Sequence, residues 1–230
     1  MLARLSSAEK SSASFEVFHA AQQIISCPYC LSVKIRIRTR LTCATAGVGM
    51  WGVSYRPITD FWFLTRCKYK GGVKRYGGYL GGFPERARRL IGCAINEPML
   101  HLCGGLAKLY PYAGGFGPKD MTLDNDASVE PDFLRDAEDP LPNGTIVWGG
   151  ILIDPPYTEE DAKKYPFSTY PNPNKLVVNS LDVLPVGRKV GIIHYVVPRC
   201  PKNAKFIACV GVACGFNNRI RAFSVFEKLP

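Results

Sequence analysis

The stretch ILIDPPYTEEDA, residues 151–162, sets the tightest limit on what this chain can fold into. Gly149 to Ile153 is a short apolar run after Trp148, the pattern of a strand covered on both faces. Pro155 and Pro156 end it, because proline fixes φ and has no N–H to give to a ladder. Glu159 to Tyr165 reads as the helix that follows. A buried strand, a stiff polar loop and a helix form one unit of an open α/β sheet. Such sheets hold their ligands at the carboxyl ends of the strands.

The flanking sequence repeats this grammar. FPERARRLIG reads as a helix with Pro84 in its first turn, Glu85 early and Gly92 just past its end. PMLHLCGG, residues 98–105, is a strand running into paired glycines, and MTLD is a further short strand. Near the end, VGIIHYVVP (190–198), AKFIACVGVA (204–213) and RIRAFSVFEK (219–228) are three strand-like runs with short polar turns between them. Strands alternating with helices and then crowding together predict an α/β sheet, mostly parallel, closed by a C-terminal antiparallel hairpin.

Charge divides the chain in two. Up to Arg75 there are 12 Lys/Arg against 3 Asp/Glu, whereas the remainder carries 17 against 16. We therefore expect a basic N-terminal extension over 1–75, facing a polyanion, and a nearly neutral domain over 76–230. Within the extension, VKIRIRTRL alternates strictly. As a strand it would put Lys34, Arg36, Arg38 and Arg40 on one face. Downstream, Arg66, Lys68, Lys70, Lys74 and Arg75 are interleaved with aromatics, and rings that stack on bases beside cations that neutralise phosphates are a nucleic-acid-binding combination. Phe61, Trp62 and Phe63 also fit a core.

No run approaches the ~20 apolar residues of a membrane span, so a soluble, cytoplasmic protein is expected. The nine cysteines are scattered and several lie in apolar runs, which fits reduced thiols better than a disulfide framework. Cys27-Pro-Tyr-Cys30 has the spacing of half a zinc site, with Cys43 and Cys67 as the other ligands, but no second closely spaced pair accompanies it, and no metal is expected.

Three pieces carry chemistry together. Gly104 and Gly105 lie at a strand end, where a backbone without side chains lets a ligand come close. Asp124 closes MTLD, the place where a nucleotide-binding α/β sheet sets a carboxylate against ribose hydroxyls. Asp136 and the DPPY loop, Asp154 to Tyr157, fall on the same carboxyl edge. Taken singly, each carboxylate could cap a helix or form a turn; as an ordered series they define a site.

Asp154-Pro155-Pro156-Tyr157 resembles the catalytic (D/N/S)PP(Y/F/W) motif of the amino-group DNA methyltransferases, which methylate N6 of adenine or N4 of cytosine using S-adenosylmethionine. GGFPERARRLIG is similar to that family's helix-opening motif. LHLCGG is similar to its glycine-rich loop, with His101 and Cys103 where the acidic and aromatic positions stand. The resemblance covers roughly Phe83 to Lys228. It implies a Rossmann-like class I methyltransferase sheet with helices on both faces, S-adenosylmethionine as cofactor, and DNA as partner, with RNA as the alternative. It also implies cofactor contacts at Phe83, Pro84, Leu102, Cys103, Gly104, Gly105, Asp124, Asn125, Asp136 and Ala137, and catalysis by Asp154, Pro155, Pro156 and Tyr157.

The motif fits the chemistry. An exocyclic amine is a poor nucleophile because its lone pair is delocalised into the ring. Two fixed acceptors for its hydrogens, the Asp154 carboxylate and the Pro155 carbonyl, favour a pyramidal nitrogen, and Tyr157 can stack on the base. A duplex base must first leave its stack to enter such a pocket. A nicotinamide dehydrogenase would need GxGxxG, which is absent, and would leave DPPY without a role. A pure binding module would account for the charge but not for the carboxylate series. His194, at the end of an apolar run, reads as a core histidine. About fifty residues separate the glycines from DPPY, too few for a large inserted recognition domain.

Overall fold

The computed structural model describes residues 56–73, 78–165, 169–215 and 219–230, all within the unit Val53–Pro230. Lys34, Arg36, Arg38, Arg40, Lys74 and Arg75 lie outside the described residues, as do Cys27, Cys30 and Cys43. Eight strands make one sheet: β1 (Ile58–Leu64), β2 (Met99–Leu102), β3 (Met121–Asp124), β4 (Phe133–Leu134), β5 (Gly150–Ile153), β6 (Lys189–His194), β7 (Ala204–Cys214) and β8 (Ile220–Lys228). Their order across the sheet is β1-β7-β8-β6-β5-β2-β3-β4. Strands β4, β3, β2, β5 and β6 are mutually parallel, and β8 runs antiparallel to both β6 and β7. The fold is thus the Rossmann-like, mostly parallel sheet with antiparallel C-terminal pairing that the sequence predicts.

Helix α1 (Phe83–Ile91) packs on one face of the sheet and α3 (Pro173–Val183) on the other. Pro84 sits in the first turn of α1, and Gly92 closes it in the left-handed region (φ 73°), its N–H donating to the Arg88 carbonyl. β5 shows how a central parallel strand serves both layers. Leu152 joins the α1 core with Phe83, Ile91 and Phe223, while Ile151 and Ile153 join the α3 core with Leu176, Leu181 and Phe226. α1 lies so close that a Cβ on Gly150 would sit 2.5 Å from Ile91 Cγ2 and one on Gly191 3.0 Å from Ile91 Cδ1, while the Phe223 ring from the neighbouring strand β8 would be only 2.6 Å from that Gly191 Cβ.

Several expectations need adjustment. The helix read over Glu159–Tyr165 is the single turn α2 (Glu159–Ala162), capped by Thr158 Oγ1, which accepts from the Asp161 N–H at 3.1 Å. Tyr165 precedes Pro166, and the residue before a proline is steered away from helix. α3, which the sequence reading does not foresee, begins inside the run Pro171-Asn172-Pro173. Asn172 Oδ1 accepts from the Asn174 and Lys175 N–H groups, so the prolines introduce the helix. β1 lies inside the segment assigned to the basic extension, yet it pairs parallel with β7 from Ile58↔Ala208 to Leu64↔Cys214, so the sheet reaches back before residue 75.

A buried polar network ties α1 to β2. Arg88 on α1 pairs with Asp120, which also accepts from the Gly117 and Met99 N–H groups and from His101 Nε2 at 3.1 Å. Tyr79 Oη lies 3.0 Å from His101 Nδ1. Burial holds the His101 pKa low, against the pull of its Asp120 hydrogen bond. A neutral imidazole here donates from Nε2 to the carboxylate and accepts the Tyr79 hydroxyl at Nδ1.

Candidate active site

Two parallel windings meet between β2 and β5. From β2 the chain moves outward to β3 and β4, and from β5 it moves the opposite way to β6. Loops leaving the carboxyl ends of these two strands diverge and open a crevice, the topological switch point. The candidate residues gather there. The Asp154 N–H donates to the Leu102 carbonyl (3.2 Å) and the Gly104 N–H to the Leu123 carbonyl (3.1 Å), which fixes both loops to the strand ends.

The glycine loop is shaped by close contact. Cys103 has φ 55° and Gly105 φ 46°, and a Cβ on Gly104 would stand 2.7 Å from the His101 carbonyl oxygen. Asp124 at the end of β3 orders this loop, its Oδ2 accepting from the Gly105 N–H (2.9 Å) and its Oδ1 from the Asp126 N–H (3.0 Å). Asp136 Oδ1 accepts from the Glu138 N–H (2.8 Å).

Two cavities result. The first is lined by Cys103, Gly105, Asp124, Asn125, Asp136 and Ala137, together with Asp154 and Pro156. The second is a groove of about 710 Å³, within the size range of small-molecule sites. One of its walls carries Arg66, Lys68 and Tyr69; the DPPY loop and Arg221 form another part. Asp154, Pro156 and Tyr165 line both cavities and so form the wall between them.

The remaining candidates are distributed as follows. Phe83 is buried in the α1 core and borders the groove, and Pro84 is buried beside it without lining either cavity. The Leu102 side chain is fully buried in the α3 core, leaving its backbone at the site, and Gly104 packs on the sheet rather than on a cavity. Lys70 is exposed in a short turn and lines neither cavity.

Asp154 is the electrostatic centre. It is half-buried, and burial pushes its pKa from 3.8 up to about 6, while the Tyr157 hydroxyl and the Arg221 charge pull the other way. The Tyr157 hydroxyl donates to Asp154 Oδ1 at 2.6 Å. The Tyr157 ring has the Arg221 guanidinium 5.1 Å from its centroid, Tyr195 at 4.9 Å, and His194 edge-on at 5.7 Å. Tyr157 was expected to stack on a base; in this structure its hydroxyl holds the carboxylate and its ring is engaged by neighbours. His194 is fully buried, with Nδ1 accepting from the Val196 N–H (3.0 Å), and burial lowers its pKa. It packs behind the loop as a core histidine. Burial raises the Cys103 thiol well above its ordinary value, and the carboxylates of Asp124, Asp154 and Asp136 add to this.

Sequence reading missed Tyr165 in the shared wall, and Tyr69, Tyr79, Tyr195, Arg219 and Arg221 in the groove. The one signal available was the R-x-R at the start of RIRAFSVFEK, an alternation like that of VKIRIRTRL.

No protein-family model matches the chain, and no curated protein matches it. Among solved structures it is similar to TrmN from Thermus thermophilus, at 20% identity and TM-score 0.48, over 67% of this chain and 50% of that one. It is also similar to an rRNA methylase from Streptococcus thermophilus (10%, TM-score 0.39, 63% and 95% of the two chains). A third is the N-methyltransferase NodS from Bradyrhizobium japonicum WM9 (11%, TM-score 0.42, 64% and 96%). The chain spans half the length of the TrmN structure. These likenesses are remote, and what the chain does has to be read from its own residues.

Proposed function

We propose that this chain is an S-adenosylmethionine-dependent methyltransferase acting on the exocyclic amine of a nucleic-acid base, with adenine N6 in DNA as the first substrate and RNA adenine as the alternative. The observation that carries the reading is the shared wall: Asp154 and Pro156 border both the carboxylate-lined cleft and the cationic, tyrosine-rich groove. A group transferred between occupants of the two cavities would pass that carboxylate.

The polar groups of the first cleft match those of the cofactor, and the cleft, about 50 Å³ in this structure, has to open to take it. Asp124 is held by the Gly105 and Asp126 N–H groups with its carboxylate on the cleft, suited to ribose hydroxyls, and Asn125, Asp136 and Ala137 offer polar and apolar contacts further along. When bound, S-adenosylmethionine supplies a methyl group on a sulfonium, an electrophile without metal. The chain supplies the rest. Asp154 Oδ1 is taken by the Tyr157 hydroxyl, which leaves Oδ2 for the amine. With a pKa of about 6, the carboxylate is ionised at neutral pH, accepts an amine hydrogen, and takes up the proton the amine loses as its new N–C bond forms. Pro155 and Pro156 hold this geometry in advance.

The test is direct. Purified protein is incubated with S-adenosylmethionine and either unmethylated DNA or total RNA, and the nucleosides are analysed by mass spectrometry. N6-methyldeoxyadenosine from DNA, lost in Asp154→Ala, is the expected result; N6-methyladenosine from RNA alone selects the alternative. No methylated base from either polymer sinks the reading.

A further inference from the structure

Arg221 is a groove-lining cation with donors left unmet among the described residues. It lies on β8 opposite Val212 and lines the groove, with its guanidinium over the Tyr157 ring. Its Nε and Nη1 are buried and have no hydrogen-bond partner among the described residues. Two carboxylates line the same groove, and the charge of one, Asp154, acts on Arg221 without a hydrogen bond to its Nε or Nη1. Asp161 pairs with Lys164 at 2.6 Å and lies 3.9 Å from Arg219, while Asp154 Oδ1 takes the Tyr157 hydroxyl. Buried donors on a charged group are costly to leave unmet, so an acceptor arriving there gains more than it would at an exposed arginine.

We propose that Arg221 is a substrate-positioning residue that binds the phosphodiester next to the target base. This rests on the nucleic-acid reading above. The guanidinium fork matches two phosphate oxygens, a geometry an ammonium cannot reproduce. Its guanidinium lies over the Tyr157 ring whose hydroxyl holds Asp154, so the phosphate and the reacting amine would be registered through one tyrosine. Arg66 and Lys68 line the same groove and extend the cationic track away from this point.

The experiment measures binding of short fluorescein-labelled single strands, one DNA and one RNA of the same sequence, to the full chain across a salt series. Wild type is compared with Arg221→Gln and Arg221→Lys, and thermal unfolding reports on folding. Loss of one phosphate contact flattens the log–log salt slope by about 0.7 per strand contact, so Arg221→Gln should show that flattening and bind about tenfold or more weakly at low salt. Arg221→Lys should keep the slope yet lose affinity, because charge remains and the fork is gone. If Arg221 only braces Tyr157, catalysis falls but neither salt slope nor strand affinity changes. Equal slopes in wild type and Arg221→Gln, or a wild type that binds neither strand, overturn the proposal. Should Arg221→Gln fail to fold, unchanged affinity in Arg221→Lys overturns it equally. Methylation of the same strands is scored separately: tight, Arg221-dependent binding without methyl transfer would remove the enzyme reading and leave this contact standing. The stronger-binding strand distinguishes DNA from RNA.

Discussion

Replacing Asp154 by asparagine should make the protein more stable and inactive at once. Asparagine keeps an oxygen to accept the Tyr157 hydroxyl but removes the charge that burial opposes. A carboxyl moved from 3.8 to about 6 corresponds to about 3 kcal/mol against its ionised form, at about 1.36 kcal/mol per pH unit. Since the side chain is only half-buried, about 1–3 kcal/mol is the expected gain. The sign follows from linkage. The folded-state pKa lies above the unfolded one, so the native protein holds the proton more tightly, and the wild type loses stability as pH rises through about 4 to 6, then stays at the lower level. The variant has no such loss. Its melting temperature should match wild type near pH 4, rise above it between pH 4 and 6, and stay higher by about 2–4 °C per kcal/mol above that. Differential scanning fluorimetry at a series of pH values reads this out, alongside a methyl-transfer assay in which activity should drop by about 10²-fold or more. A variant that is less stable than wild type at pH 8, or a gap that does not close at acid pH, would refute the account of Asp154 as a carboxylate held in an unfavourable setting.

Three further outcomes are expected. Asp124→Ala should weaken S-adenosylmethionine binding by about 1–3 kcal/mol in calorimetry, and unchanged affinity would return Asp124 to the role of ordering the Gly105 loop. Arg88→Met leaves Asp120 buried without its cation and should cost about 3–5 kcal/mol in urea unfolding, whereas a loss below about 1 kcal/mol would mean that His101 and the backbone donors suffice. Gly191→Ala, whose new methyl would stand 2.6 Å from the Phe223 ring, should destabilise by about 1–3 kcal/mol and lower the denaturant midpoint without altering its slope.

What could be read in advance was what short-range patterns encode. α1 carries its own punctuation in Pro84 and Gly92, and β2, β3 and β5 are apolar runs that stop at glycine or aspartate. Because parallel strands share a carboxyl edge, knowing where each strand stops was enough to gather Cys103, Gly105, Asp124, Asp136 and Asp154 around one cleft. The groove was another matter. Its walls come from residues as far apart as Arg66 and Arg221, joined only by the register of β1 with β7 and of β7 with β8, and no local pattern states a register. β1 was obscured by its own composition, since ITDFWFL has only Trp62 and Leu64 buried and shows little alternation. α3 was hidden behind prolines that belong to its cap.

Strand β1 also has a history in time. Its partner residues lie 150 positions further along, Ile58 against Ala208, and at about 5–20 residues per second a ribosome takes about 8–30 s to supply them. Through that interval Ile58–Leu64 lacks the ladder partner it has among the described residues, while Phe61 and Phe63 stay exposed even in the finished fold. An unpaired apolar strand is a template for the wrong chain, so nascent chains stalled before β7 should be the ones that coaggregate. Chains released after β8 has emerged should escape, and the hazard in making this protein is set by elongation rate more than by final stability.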